Sequence, residues 1–297
     1  MRSTLTRSFL TLTSTACVVL CSSFHLEAAP ATSAARSGAV EVNRAGAVLM
    51  PVLINGEGPF AFLVDTGATS SAIADTLTDR LKLEHIGKTL ASTAAGSAEF
   101  DIVSVTSLTA TGRESGGLRL AVMPLAALDA AAPHAMGILG QDVLRQANFT
   151  IDYERARFTW EAPVAAADSQ HALALKWTDG RWLVNLSQDS KGGAALWMVA
   201  DSGASALVFF DRGSALALRT SPLDLPADVT TLSGTKSARG VIVHELHAGS
   251  ATLHDQPALI VDRRAGGTDS DGLLPLCAFA RVTFDVAAGT MTVQARR

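Results

Sequence analysis

The sequence predicts a mostly β protein built as two similar lobes by internal duplication, and three observations predict it. Hydrophobic residues make up 48% of the chain while aromatics are only 5% and charges 18%, and Val, Ala, Leu, Thr and Gly dominate, which suits short strands joined by small-residue turns. An apolar run ending in Asp-[Thr/Ser]-Gly-Ala occurs twice, the interval from Asp65 to Asp201 being 136 residues. A Gly-apolar-apolar segment also occurs twice, and from Gly137 to Gly272 the interval is 135 residues. Two motifs that recur in the same order at nearly the same spacing imply two lobes of one fold, related by a pseudo-twofold axis.

The elements follow in chain order. Residues 1–31 read as a secretory signal: Arg2 and Arg7 stand without an acid, residues 9–20 (FLTLTSTACVVL) are apolar but too short to span a bilayer, and Ala29-Pro30-Ala31 offers a small-x-small cleavage site. A retained anchor is the alternative. Cys17 follows Ser14-Thr15-Ala16 and Cys21 follows Leu20, poor matches to a lipoprotein site, so lipid anchoring is not the favoured reading. The expectation is an exported, periplasmic protein with no stable membrane insertion after signal removal. The full chain's net charge of −4 from 24 Lys+Arg against 28 Asp+Glu, with no basic block, argues against a nucleic-acid partner.

Residues 32–44 read as a linker and residues 45–160 as lobe one. There the run 47–54 (AVLMPVLI), the turn 55–58 (NGEG) and the run 60–64 (FAFLV) form a hairpin that feeds Asp65-Thr66-Gly67-Ala68. Gly137-Ile138-Leu139-Gly140 then precedes a short helical stretch and two strands, 149–153 and 157–160. Residues 161–170, with Pro163 and little periodicity, read as a second linker, and 171–297 as lobe two. In lobe two the runs 182–186 and 194–200 lead into Asp201-Ser202-Gly203-Ala204, and Gly272-Leu273-Leu274-Pro275 precedes strands at 282–286 and 290–293.

A single Asp-Ser-Gly is ordinarily a turn. Two copies at matched strand ends have a chemical use. Gly permits a sharp turn that brings its N–H to the carboxylate, and the Thr or Ser hydroxyl can reach the partner loop. A twofold arrangement sets Asp65 and Asp201 face to face, where they cannot both ionise and must share a proton. One can then deprotonate a water while the other donates to a carbonyl.

At these residues the sequence resembles the aspartic peptidases, specifically the bacterial retropepsin-like branch. The stretch 58–70 (GPFAFLVDTGATS) is similar to that family's catalytic turn, and 137–144 (GILGQDVL) with 149–153 (FTIDY) to its closing segment; lobe two is similar but looser, over 175–295. The resemblance implies two pepsin/retropepsin-like β-barrel lobes with an active-site cleft between them, an aspartic endopeptidase with Asp65 and Asp201 as catalytic residues, peptide or protein substrates, and no metal or cofactor beyond water. It further implies that Thr66 and Ser202 cross-bond the two turns and that Gly67 and Gly203 donate backbone N–H groups to the carboxylates, with Ala68 and Ala204 completing the turns. Pepsin-like enzymes commonly carry Ser or Thr at those last two positions, so activity is expected at less acidic pH. Hairpins around 92–97 and 232–237 are candidate flaps, or plain surface hairpins.

One departure stands out. Pro275 replaces the lobe-one Gly140 and has no N–H, so the packing behind Asp201 must differ. Two alternatives to a monomeric peptidase therefore stay open: a peptide-binding protein on a peptidase fold, and a homodimeric peptidase that uses Asp65 alone. Other features carry less. Once the signal is removed Cys277 is the only cysteine and reads as a buried small hydrophobe. His244 and His247 lie three apart in a strand-like run, pointing to opposite faces, which argues against a shared metal. Asp262, Asp269 and Asp271 near Gly266-Gly267 lack the ligand pattern of a calcium loop. No phosphate loop, dinucleotide fingerprint or Gly-x-Ser-x-Gly elbow is present.

Overall fold

The computed structural model describes residues 35–93, 96–129, 131–161, 171–188, 195–211, 219–231, 234–249, 251–262 and 269–296. The expected signal segment lies outside them. No helix among the described residues is long and apolar enough to cross a membrane.

The first half runs β1 (Arg36–Ala39), β2 (Glu41–Val42), β3 (Val48–Ile54), β4 (Glu57–Val64), β5 (Ala72–Ala74), α1 (Asp75–Leu81), β6 (His85–Thr93), β7 (Gly96–Ala110), β8 (Arg113–Met123), β9 (Gly137–Leu139), α2 (Gln141–Leu144), β10 (Phe149–Asp152) and β11 (Arg157–Trp160). The second half runs β12 (His171–Thr178), β13 (Arg181–Leu186), β14 (Leu196–Asp201), β15 (Leu207–Asp211), β16 (Thr220–Thr231), β17 (Gly234–Ala248), β18 (Ala251–Asp262), β19 (Gly272–Pro275), β20 (Phe279–Asp285) and β21 (Thr290–Ala295). The protein is mostly β, with two short α-helices among the described residues.

Strand periodicity decides what each half buries. Along β3 the even positions Met50, Val52 and Ile54 are fully buried while Pro51 is exposed, the period-2 alternation of a half-solvated strand. Strands β3-β4-β9-β5-β8-β7 pair in that order, and β7 returns to β3 through Val52↔Ala110, Leu53↔Thr109 and Ile54↔Leu108. The sheet therefore closes into a barrel, which removes its edges. In the second half β13-β14-β19-β15-β18-β17 follow the same order. That ring closes through one bridge, Ser187↔His247.

The halves meet in a shared sheet of order β1-β11-β10-β20-β21-β12. Its centre is the antiparallel pair β10–β20, with Phe149↔Phe284, Thr150↔Thr283, Ile151↔Val282 and Asp152↔Arg281. Phe149 and Phe284 occupy equivalent places in the duplication, are direct partners and stack at 4.6 Å, so the pseudo-twofold axis passes between them. Phe158 and Trp160 extend this buried aromatic cluster, and Trp160 Nε1 donates to Ala110 O at 2.8 Å, which satisfies the buried indole.

Residues 36–39 and 41–42, within the segment read as linker from sequence, are strand. Arg36-Ser37-Gly38-Ala39 lacks alternation and becomes β1 by pairing with β11 (Arg36↔Trp160 through Ala39↔Arg157), and β2 pairs with β3. They match the two halves of β12, which pairs first with β21 and then with β13. The candidate flaps are the turns of hairpins β6–β7 and β16–β17; their tips, 94–95 and 232–233, lie outside the described residues.

Candidate active site

Strand β4 delivers Asp65 and strand β14 delivers Asp201. Each is backed by a parallel strand, β9 behind β4 and β19 behind β14. Asp65 N–H donates to Leu139 O at 3.0 Å, which fixes where the strand stops and the turn begins.

The two turns then interlock reciprocally. Thr66 N–H donates to Ser202 Oγ at 3.0 Å and Ser202 N–H to Thr66 Oγ1 at 2.9 Å. Thr66 Oγ1 donates onward to Ala200 O, and Ser202 Oγ to Val64 O, each at 2.7 Å. Both hydroxyls are thus saturated and both residues are buried, so the network leaves no orphaned polar atom to penalise it.

Within each turn one carboxylate oxygen accepts two backbone donors. Asp65 Oδ1 takes the N–H of Gly67 at 2.8 Å and of Ala68 at 3.1 Å; Asp201 Oδ1 takes those of Gly203 at 2.8 Å and Ala204 at 3.0 Å. The glycines are required by crowding. A Cβ on Gly67 would lie 2.6 Å from Asp201 Cγ, and one on Gly203 2.7 Å from Asp65 Cγ, so each turn presses its glycine against the other lobe's carboxylate.

The two carboxyl groups face each other, each against the other turn's glycine. Burial pushes both above the usual carboxylate range. For Asp65 the N–H groups of Gly67 and Ala68, the bond to Asp201 and the Arg181 guanidinium oppose that rise, whereas for Asp201 the Asp65 charge adds to it. Two carboxyl groups this close and this buried share one proton and titrate as a pair.

All eight residues singled out in sequence, Asp65, Thr66, Gly67 and Ala68 with Asp201, Ser202, Gly203 and Ala204, meet at this one point between the barrels. Against known families, the one described as "gag-polyprotein putative aspartyl protease" matches residues 50–146, and the family described as "Aspartyl protease" matches residues 190–276. The two matches lie in tandem, one per barrel. The chain is a two-lobed, retropepsin-like aspartic peptidase. No curated protein matches it.

The peptidase also holds residues that sequence reasoning did not assign. Gln141, at the start of α2, donates from Nε2 to Thr66 O at 2.7 Å and from its N–H to Ala68 O at 2.9 Å. Asp142 Oδ1 accepts Ser71 N–H at 2.9 Å and Ser71 Oγ–H at 2.6 Å, and Gly140 N–H donates to Ser71 Oγ at 3.0 Å. Burial pushes the Asp142 carboxyl up and the two Ser71 bonds oppose it. Arg181, the first residue of β13, donates from Nε to Gly67 O at 2.5 Å across the lobe boundary. The only local signal for it was a cation beside the turn Asp179-Gly180.

The weaker sequence features resolve separately. Cys277 is half-buried rather than fully so, its Sγ 3.9 Å from Ala204 O, and burial pushes its thiol up. His247 Nδ1 contacts Thr252 Oγ1 at 3.1 Å. His244 bridges Ser221 Oγ at 2.7 Å and Asp255 Oδ1 at 2.9 Å. That Ser-His-Asp order copies a nucleophilic relay, yet it crosses three adjacent strands on an exposed face, with the Asp255 side chain 73% exposed; it is a cross-strand tie. Asp271 Oδ2 accepts Trp197 N–H at 2.8 Å and splices β14 to the segment before β19. No group of three or more His, Cys, Asp or Glu among the described residues could hold a metal.

Proposed function

We propose that this aspartic peptidase is an exported, monomeric endopeptidase whose catalytic residues are Asp65 and Asp201. The observation that carries the reading is the facing carboxylate pair, each member held by two N–H donors and pressed on by the partner turn's glycine. Asp65, the more readily ionised member, takes a proton from a water as its oxygen attacks the scissile carbonyl carbon. Asp201, carrying the shared proton, gives it to the carbonyl oxygen, so a neutral tetrahedral diol forms with no free oxyanion. Collapse returns the diol proton to Asp201 and breaks the C–N bond, while the proton held on Asp65 passes to the leaving nitrogen; the pair ends as it began. The interlocked Thr66 and Ser202 keep the carboxylates from reorganising during this exchange.

Export rests on residues 1–31 and their Arg2, Arg7, apolar run and Ala29-Pro30-Ala31 site. Amino-terminal sequencing of protein recovered from a periplasmic fraction checks it, with cleavage after position 31 expected. Activity is checked by mass spectrometry of a peptide library digested with wild type, Asp65→Asn and Asp201→Asn. Internal cleavage by wild type and a loss of about a thousandfold or more in each variant is expected. Stable peptide binding with no turnover would instead favour the binding-protein alternative, and activity surviving only in Asp201→Asn would favour a homodimer that uses Asp65.

A further inference from the structure

The β12–β13 hairpin of lobe two reaches over to the active turn of lobe one. Its turn residues have φ 53° at Asp179 and 76° at Gly180, the left-handed pair of a type I′ turn. The tip lies against Thr69: a Cβ on Gly180 would meet Thr69 Cγ2 at 2.9 Å. The next residue, Arg181, thereby lands on Gly67 O. That carbonyl and the Ala68 N–H belong to one peptide unit. The guanidinium donates to its oxygen end at 2.5 Å, and its N–H end donates to Asp65 Oδ1 at 3.1 Å.

We propose that Arg181 is a positioning residue that assigns the charge of the aspartate pair to Asp65, acting through the Gly67–Ala68 peptide. A guanidinium on the carbonyl polarises the whole peptide unit, which makes its N–H a stronger donor to an ionised carboxylate. Its full charge also acts directly on the pair, little screened because Arg181 is largely desolvated. The register of Leu49↔Leu63 against Leu183↔Val199 makes Ala47 the lobe-one counterpart of Arg181, so the device exists on one side only. It therefore breaks the twofold equivalence of the two carboxylates.

The other groups facing the pair do not duplicate it. Asp179, from the same turn, partly offsets the Arg181 charge. Tyr153, after β10, is buried and neutral, its phenol pushed well above the usual range by burial. Cys277 and Arg296 stand on the Asp201 side; Arg296 donates to Cys277 O at 3.0 Å. The Arg181 charge acts on Asp201 as well as on Asp65; what singles out Asp65 is the hydrogen-bond chain through Gly67 and Ala68.

The proposal rests on the two-aspartate reading above, and its test separates the two. Arg181→Met and Arg181→Lys are compared with wild type by the pH dependence of kcat/KM on a cleaved peptide, and by the pH titration of 13C-labelled Asp carboxyl resonances. In Arg181→Met the acidic limb and the first carboxyl titration should both move up by about one pH unit, while Arg181→Lys, which keeps the charge, restores at least half of that shift. A Met variant whose rate falls while limb and titration stay put would make Arg181 a packing residue and overturn the proposal. Should the wild type cleave nothing, the carboxyl titration still decides the Arg181 claim, and only the peptidase reading falls. Should Arg181→Met not fold, an Arg181→Lys titration displaced by a full unit would overturn it, since the charge is retained.

Discussion

The two lobes present the same face to the shared site and different backs. In front, the donor sets on Asp65 and Asp201 agree to within 0.1 Å. Behind, lobe one supports its turn with Ser71, Gly140, Gln141 and Asp142, linked by buried hydrogen bonds. Pairing of β5 and β15 with the strands behind the turns puts Leu207, Pro275, Leu276 and Cys277 at the corresponding places in lobe two. The substitution is concerted: Pro275 has lost the N–H that Gly140 gives, and Leu207 has lost the hydroxyl that would accept it. Replacing both partners of a buried hydrogen bond with apolar groups is nearly neutral, whereas replacing one is costly. The Pro275 departure is therefore compensated locally, and two chemically unlike supports hold one geometry.

The largest expected effect tests that statement by exchanging the residues. Gly140→Pro removes the donor to Ser71 Oγ and places a Cβ 2.5 Å from the Ser70 backbone carbon, atoms that cannot swing aside. It should cost roughly 3 kcal/mol. The reciprocal Pro275→Gly clashes with nothing, but it empties a buried ring and returns an N–H that Leu207 cannot accept, at roughly 2 kcal/mol. Urea unfolding checks this: Pro275→Gly combined with Leu207→Ser should lose less than the sum of the two single losses, and strict additivity would mean that Leu207 does not compensate for Pro275.

A pH-dependent comparison of Asp65→Asn and Asp201→Asn is next. Asp201 is raised by burial and by the Asp65 charge, so between the ordinary carboxylate range and its folded value the native state binds more protons than the unfolded chain. Stability must then fall as pH rises through that window. Asp201→Asn abolishes this loss and should be more stable than wild type near neutrality, by on the order of 1 kcal/mol, with the gain vanishing below about pH 4. Asp65→Asn should gain less, because Asp65 is the carboxylate reached by the Arg181–Gly67–Ala68 hydrogen-bond chain, and its removal discards that support. Thermal melts between pH 4 and pH 8 measure both, and a larger gain for Asp65→Asn would reverse the inferred asymmetry.

What the sequence made legible was whatever repeats locally. Asp65-Thr66-Gly67-Ala68 and Asp201-Ser202-Gly203-Ala204 are tetrapeptides at strand ends, and the duplication alone forces them together. The Gly137 and Gly272 segments were legible for the same reason, as strands laid behind those ends. Arg181 was not, because its partner Gly67 is 114 residues away and no periodicity links a hairpin tip to another lobe's turn. The shared sheet was hidden too: β1 has no apolar alternation and takes its strand state from β11, and the β10–β20 joint pairs segments that each read as the end of a separate lobe. The unlike backs showed only as Pro275 against Gly140, with the compensating Leu207 visible once the pairing of β15 with β19 is known.

The smallest effect concerns what the two lobes have in common. Both turns end in Ala, at Ala68 and Ala204, and each contributes only its backbone N–H to the inner carboxylate oxygen. A Ser at either position adds a hydroxyl that can donate to the outer oxygen, and a donor to a carboxylate favours its charged form. Ala68→Ser with Ala204→Ser should therefore move the acidic limb of the pH–rate profile down, by about half a unit. The singles sharpen the comparison. With Asp65 ionising first, as proposed for Arg181, Ala68→Ser should move the acidic limb and Ala204→Ser the basic one, where Asp201 loses its proton. If both singles move the same limb equally, the two carboxylates are equivalent in charge, and the asymmetry ascribed to Arg181 has no consequence for the pH range.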